Sequence, residues 1–197
     1  MARSLYFAFD YEDVKTFRAN VVRKSGGFRN SKKFKDSSIW EEAKEKSPTK
    51  IKALIDNSLQ GTSVTCVLVG SGTYSRRYVR YEIVKSFVEK KGLVGVRINW
   101  IKGKDGNTKF WPGENPFEYL RFQISADGST IHFFEYKDGW IPFKDLQSCK
   151  NKHFPDQKYW GKKYQLDSLF TIYSYDWHDG KKNLVDWVEE AANKMGR

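Results

Sequence analysis

A glutamate four residues after a tyrosine, preceded by two arginines and a Gly-Ser-Gly turn, is the part of this chain best equipped for chemistry. Residues 62–82 read TSVTCVLVGSGTYSRRYVRYE. The apolar run ahead of Gly70-Ser71-Gly72 predicts a buried strand, and the residues after it predict a helix. In an open α/β sheet, ligands bind at the carboxyl ends of strands, where such a turn lies. Backbone N–H groups and a positive helix end suit phosphate there. Arg76 and Arg77 could clamp a pyrophosphate through bidentate contacts. At a helix start they also oppose the macrodipole, and a local rule broken at one place points to function. Tyr78 and Glu82 share one helix face. A carboxylate beside an aromatic ring can hold sugar hydroxyls and stabilise an oxocarbenium-like transition state. Spacing alone leaves a plain reading for each: a tight turn, a solvated arginine pair, and a surface Glu82 paired with Lys85.

Other chemistries find no constellation. No Gly-Lys-Ser/Thr follows the turn, so it is not a P-loop, and the third glycine of a dinucleotide fingerprint is missing. His132, His153 and His178 are isolated, which argues against a metal site. Ser71 has no GxSxG elbow. The aromatics Trp140, Trp160, Tyr173, Tyr175 and Trp177 have the spacing of packed strand faces, and core is favoured over base stacking.

The elements that must position Glu82 follow from periodicity. Residues 5–9 form an apolar run that predicts a first strand. Val14, Phe17, Val21 and Val22 then recur at helical spacing, and Gly26-Gly27 ends that helix. The densest basic stretch, 23–35, reads as a loop. Ser38 and Glu41 fit a capping box. Pro48 opens a helix with Ile51, Leu54, Ile55 and Leu59 inward, and Gly61 stops it. Residues 64–69 and 93–98 predict strands, and 76–91 a helix with Val79, Ile83 and Phe87 inward. Strand and helix alternate over 1–100, the signature of a parallel sheet. Residues 101–165 read as a Gly/Asn/Pro-rich loop and an antiparallel insertion against the sheet edge, with a hairpin turn at Ala126-Asp127-Gly128. A last strand, 170–175, and a helix carrying Leu184, Trp187, Val188 and Ala191 close the chain over 166–197. The whole, 1–197, reads as a single domain.

Composition sets the limits. The chain has 197 residues, with 7 Trp, 11 Tyr and 14 Phe, so a packed core is expected rather than disorder. No window approaches a membrane span, and the N-terminus lacks a signal-peptide run, so a cytoplasmic setting is expected. Cys66 and Cys149 form no CxxC pair, which agrees with a reducing compartment. The net charge of +11 permits anionic partners without selecting one, and nucleic acid is the weakest of these readings.

In order along the chain, these pieces resemble TIR domains. Residues 5–13, LYFAFDYED, are similar to the first TIR box, with Ala8 where serine is usual. Ser71, Tyr74, Tyr78 and Glu82 resemble the Ser-x-x-Y, Trp, Glu motif, with Tyr78 in place of tryptophan and a spacing from Tyr74 one residue shorter than in plant-type domains. The opening FxFxYxDV, FRxNVVR, the segment around Trp40, TSVTCVLVGS with RRYVRYEI, NPFEYL and a late YDW are together similar to the TIR-like subunit of the bacterial Thoeris antiphage system. That resemblance implies a flavodoxin-like TIR fold, with a central parallel sheet flanked by helices. It implies an NAD⁺-consuming enzyme that cleaves the nicotinamide–ribose bond and releases a cyclic ADP-ribose isomer. NAD⁺ is then substrate, with no further cofactor and no metal. The diffusible product would couple to a Thoeris effector after an unknown phage trigger, with self-association left open. Glu82 matches the catalytic glutamate. Phe9, Asp10, Tyr11, Trp40, Ser71, Tyr74, Arg77 and Tyr78 are the expected substrate-binding residues. The alternative is a non-catalytic TIR interaction or scaffold module.

Overall fold

A computed structural model describes residues 3–25, the backbone of 34–36, and 47–197. Five parallel strands form the central sheet: β1 (Leu5–Phe9), β2 (Phe34–Asp36), β3 (Val64–Val69), β4 (Gly92–Arg97) and β10 (Ile172–Ser174). Their order, β2-β1-β3-β4-β10, is that of a flavodoxin-like sheet, whose switch point lies between β1 and β3. Strand β2 overlaps the end of the basic stretch that the sequence assigns to a loop; three residues carry too little pattern to announce a strand. The capping box at Ser38 and the proposed stacking residue Trp40 lie outside the described residues.

Strands β1 and β3 are buried at every position, because both sheet faces are covered. Alternate residues sort into two cores. Leu5, Phe7, Cys66, Leu68, Val94 and Val96 pack toward α2 (Arg18–Arg23) and α5 (Gly180–Lys194). Tyr6, Ala8, Val67, Val69 and Leu93 pack toward α3 (Pro48–Leu59) and α4 (Arg77–Val88). Cys66 is a free core thiol whose pKa burial pushes up.

The single helix expected after β1 is broken in two. Helix α1 (Tyr11–Lys15) ends before Phe17, whose φ of 69° is left-handed, and α2 restarts behind it. Phe17 and Val21 are exposed, and Arg18 takes an inward place instead. Its Nε donates to the Ile101 carbonyl at 2.9 Å and its Nη2 to that of Asn107 at 2.7 Å, tying the long loop after β4 to this helix.

The antiparallel part is larger than a hairpin at the sheet edge. Strands β5 (Leu120–Ile124) and β6 (Thr130–Tyr136) form the expected hairpin. Strands β7 (Trp140–Pro142), β8 (Ser148–Lys150) and β9 (Lys163–Gln165) complete a second five-stranded sheet. It lies over α4: Phe87 meets Phe122, Phe133 and Phe170 with ring centroids 5.1, 6.0 and 6.2 Å apart. Helix α4 is therefore buried between two sheets, and eight of its residues, including Arg80, Glu82 and Ser86, have little or no solvent contact. Phe87→Ala would empty the centre of this contact. The expected loss is about 3–5 kcal/mol of unfolding free energy, measured by urea denaturation.

Candidate functional site

A helix buried along most of its length must give its buried polar side chains partners. Ser86 meets Thr65, Oγ to Oγ1, at 2.7 Å. Tyr81 Oη donates to Asp56 Oδ1 at 2.9 Å. Arg80 Nη1 lies 2.8 Å from Glu135 Oε2 on β6, and Arg80 Nε donates to the Tyr74 carbonyl at 2.8 Å. Glu82, with 0% exposure, points toward β1, where Tyr6 Oη donates to its Oε1 at 2.5 Å. Glu82 is thus not the surface charge that spacing alone allows. Lys85, its supposed partner, pairs instead with Asp56 and Glu89.

Above Glu82, toward the start of α4, a cleft of about 150 Å³ is lined by Phe9, Asp10, Tyr11, Arg76, Arg77, Tyr78 and Val79. It lies at the carboxyl end of β1. Five of the expected binding residues, Phe9, Asp10, Tyr11, Arg77 and Tyr78, meet here. Glu82 is one helical turn from Tyr78, behind this lining. Ser71 is exposed on the turn. Tyr74 leans the other way, its ring centroid 4.9 Å from that of Tyr119.

The two arginines divide. Arg76 Nε donates to Asp10 Oδ2 at 2.8 Å, across the cleft mouth. Arg77 makes a bidentate pair with Asp145, Nε to Oδ2 and Nη2 to Oδ1, each 2.7 Å. This pairing holds the Asp145 carboxyl below the usual carboxylate range. These carboxylates offset the unfavourable placement of cations at a helix start. The first turn of α4 has no side-chain cap on its amides, and it faces the cleft.

The turn after β3 is built on close approach. Gly70 N–H donates to Thr73 Oγ1 at 2.9 Å. A Cβ at Gly70 would collide with the Asp13 carboxylate, and one at Gly113 would collide with the Gly70 carbonyl. Asp13 is only 1% exposed, and neither of its oxygens has a hydrogen-bond partner; Lys109 Nζ stands 3.6 Å from Oδ1. Burial pushes its carboxyl up to about 6; Lys109 opposes this and Asp10 adds to it. Among the described residues, no His/Cys/Asp/Glu group has the arrangement of a metal site.

Sequence reasoning missed Tyr6, Arg80, Asp13 and Asp145. Tyr6 carried a signal, since a tyrosine inside a buried strand needs a partner for its hydroxyl. Asp145 carried none, because it comes from a loop of the other sheet.

Parallel strands in flavodoxin order, a switch-point cleft and a buried glutamate on the following helix define a TIR-like α/β protein. The family described as "Thoeris protein ThsB, TIR-like domain" matches residues 6–102. A protein of Bacillus cereus (strain MSX-D12), named "Putative cyclic ADP-D-ribose synthase ThsB1", is 41% identical over 192 residues, covering 95% of this chain and 100% of the relative. The chain belongs to the Thoeris ThsB family of TIR-like proteins.

Two measurements test this geometry. Tyr6→Phe removes a donor from a fully buried carboxylate, and should cost about 1–3 kcal/mol of stability in urea denaturation at neutral pH. Asp13 is an acid whose folded pKa lies above its unfolded value, so the folded state binds more protons between the two. Stability contributed by neutral Asp13 is present below about pH 4 and is lost as pH rises through about 6. Asp13→Asn should therefore gain on the wild type by about 2–3 kcal/mol between those limits, read from paired denaturation curves.

Proposed function

We propose that this protein cleaves the nicotinamide–ribose bond of NAD⁺ and closes the ADP-ribose into a cyclic isomer that serves as an antiphage signal. The observation that carries this reading is Glu82: a fully buried carboxylate on the switch-point helix, held by Tyr6, in a chain 41% identical to the protein named "Putative cyclic ADP-D-ribose synthase ThsB1".

The chemistry needs little beyond what these residues supply. Nicotinamide departs as a neutral base, so no strong acid is required. Positive charge develops on the ribose as the bond breaks, and a fixed carboxylate in a dry site stabilises it. The Tyr6 hydroxyl holds that carboxylate at one oxygen. The pyrophosphate is a dianion; Arg76 and the uncapped first turn of α4 lie at the cleft mouth to receive it. Arg76 spends its Nε on Asp10, and its remaining N–H groups are the donors for phosphate. Arg77 meets Asp145 through one edge and can offer the other. Tyr78 stacks beside the departing ring. Cyclisation then requires the adenosine end folded back to C1′ with water held off, and proximity supplies the rate.

Glu82 lies behind the Tyr78 lining, so ribose reaches it only when the top of α4 or the Tyr78 ring shifts. A protein at rest in this arrangement is slow and awaits a trigger. NAD⁺ is substrate, and the reading calls for no further cofactor. The product acts on a Thoeris effector by diffusion within the cytoplasm. Among the described residues, no helix is long and apolar enough to cross a membrane.

Mass spectrometry of small molecules from phage-infected cells tests the reading. Cells with the wild type should accumulate nicotinamide and a cyclic ADP-ribose isomer. Glu82→Gln should reduce both by about 10²-fold or more at equal protein level. Undiminished product in Glu82→Gln cells would reject the catalytic role, and persistent defence without product would favour a scaffold.

A further inference from the structure

A second concavity opens at the same end of the parallel sheet, beyond β4 and β10, and the reaction above makes no use of it. Its volume is about 580 Å³, inside the range of roughly 300–1,000 Å³ usual for ligand sites. Its walls are aromatic. Trp111, Phe110 and Trp177 are 76%, 74% and 73% exposed, three large rings left to solvent on the lining of one cleft. Trp177 is thus a surface residue, against the expectation that it belongs to the core. The rings brace one another: Trp100 stacks on Trp177 at 5.7 Å and 22°, and Phe110 stands edge-on to Trp111 at 5.7 Å and 89°.

The lining also includes polar groups. Ser174 is 7% exposed, and its Oγ has no hydrogen-bond partner. His178 Nδ1 accepts from the Ser174 amide at 2.8 Å, which leaves Nε2 as the donor of the neutral ring. Arg97 gives Nη1 to the Gly113 carbonyl and keeps other N–H groups for a ligand.

An apolar occupant would leave the Ser174 hydroxyl without a partner and cover the Arg97 N–H groups that Gly113 does not take. A bare anion would leave the indoles unused. A planar base that carries phosphate satisfies both, because bases stack on tryptophan and phosphate takes guanidinium and imidazole N–H. The net charge of +11 draws such an anion in. We propose that this cleft is a second nucleotide site, where a purine base stacks on Trp111 and Trp177 and its phosphate meets Arg97 and His178. A free mononucleotide uses one base and one phosphate, and this open cleft offers rings for the one and a single guanidinium for the other; a nucleic-acid strand would call for further cations along its backbone. The site also touches the switch-point turn, since Gly113 accepts from Arg97 and packs on the Gly70 carbonyl.

The test uses AMP, which has no nicotinamide–ribose bond, so it is independent of NAD⁺ cleavage. The full-length protein is titrated with AMP and followed by tryptophan fluorescence and calorimetry. One saturable site is expected in the fluorescence titration, because the described lining of the switch-point cleft, which also has donors for the AMP phosphate, carries no tryptophan. Trp111→Ala and Trp177→Ala should each weaken it about tenfold or more, with unchanged circular dichroism, because both rings are exposed. Arg76→Ala and Glu82→Gln, in the other cleft, should bind AMP as the wild type does. Ribose 5-phosphate should bind at least about tenfold more weakly than AMP. No saturation at millimolar AMP, full affinity in both tryptophan variants, loss of binding confined to Arg76→Ala, or equal binding of ribose 5-phosphate would each overturn the proposal. A deoxyadenosine decamer that binds far more tightly than AMP, with steep salt dependence, would also overturn it and mark a strand-binding surface.

Discussion

The hydrogen bond from Tyr6 to Glu82 is the constraint around which the site is arranged. A carboxylate without solvent contact is costly to bury, and it persists only where a donor meets it. Here the donor comes from the second residue of β1, and the acceptor from the second turn of α4. The bond therefore fixes how far along the sheet α4 sits. With that position set, the start of α4 reaches the carboxyl end of β1, where Asp10 meets Arg76. The same position brings Arg80 to Glu135 and Phe87 to the rings of the second sheet. A helix enclosed in this way gains its place from apolar contact and its register from three buried polar pairs, Tyr6–Glu82, Arg80–Glu135 and Thr65–Ser86.

The second sheet does more than cover that helix. It supplies Glu135, and the loop beyond β7 supplies Asp145. Both carboxylates meet arginines of α4, one buried and one at the rim. The long loop after β4 works in the same sense at the other side. It is held by Arg18 and Lys109, and it lays Gly113 against the turn after β3. The switch-point cleft is thus framed by segments far apart in the chain, and its cations are engaged by carboxylates before any substrate arrives. A pyrophosphate would compete with or share those partners, which ties substrate capture to a local rearrangement.

Some of this was legible in the residues alone, and some was not. Strands β1, β3 and β4 and helices α3 and α4 follow from apolar periodicity, and the cleft follows from the rule that places ligands at a switch point. Glu82 was legible only as a member of an ordered motif, since a glutamate near a lysine on a helix looks the same whether it faces solvent or core. The break at Phe17 was hidden because a left-handed residue carries no hydropathy signal, and β2 because three residues are too few. Trp177 read as core because the spacing of the C-terminal aromatics fits packed strand faces; its exposure depends on which segments reach it.

By itself the sequence determined the alternation of strand and helix and the position of the Gly70–Ser71 turn; the flavodoxin-type order and the role of Glu82 came only through the resemblance of its ordered motifs to a known family. The alternation and the turn rest on local propensity and period, which act within a few residues. Only the tertiary structure decided that Glu82 is buried against Tyr6, that Arg77 faces Asp145, that the second sheet lies over α4 rather than beside the first sheet, and that four aromatics form an open cleft beyond β10. Each of those joins residues distant in the chain, and the free energy of desolvating them together is settled only when the layers close.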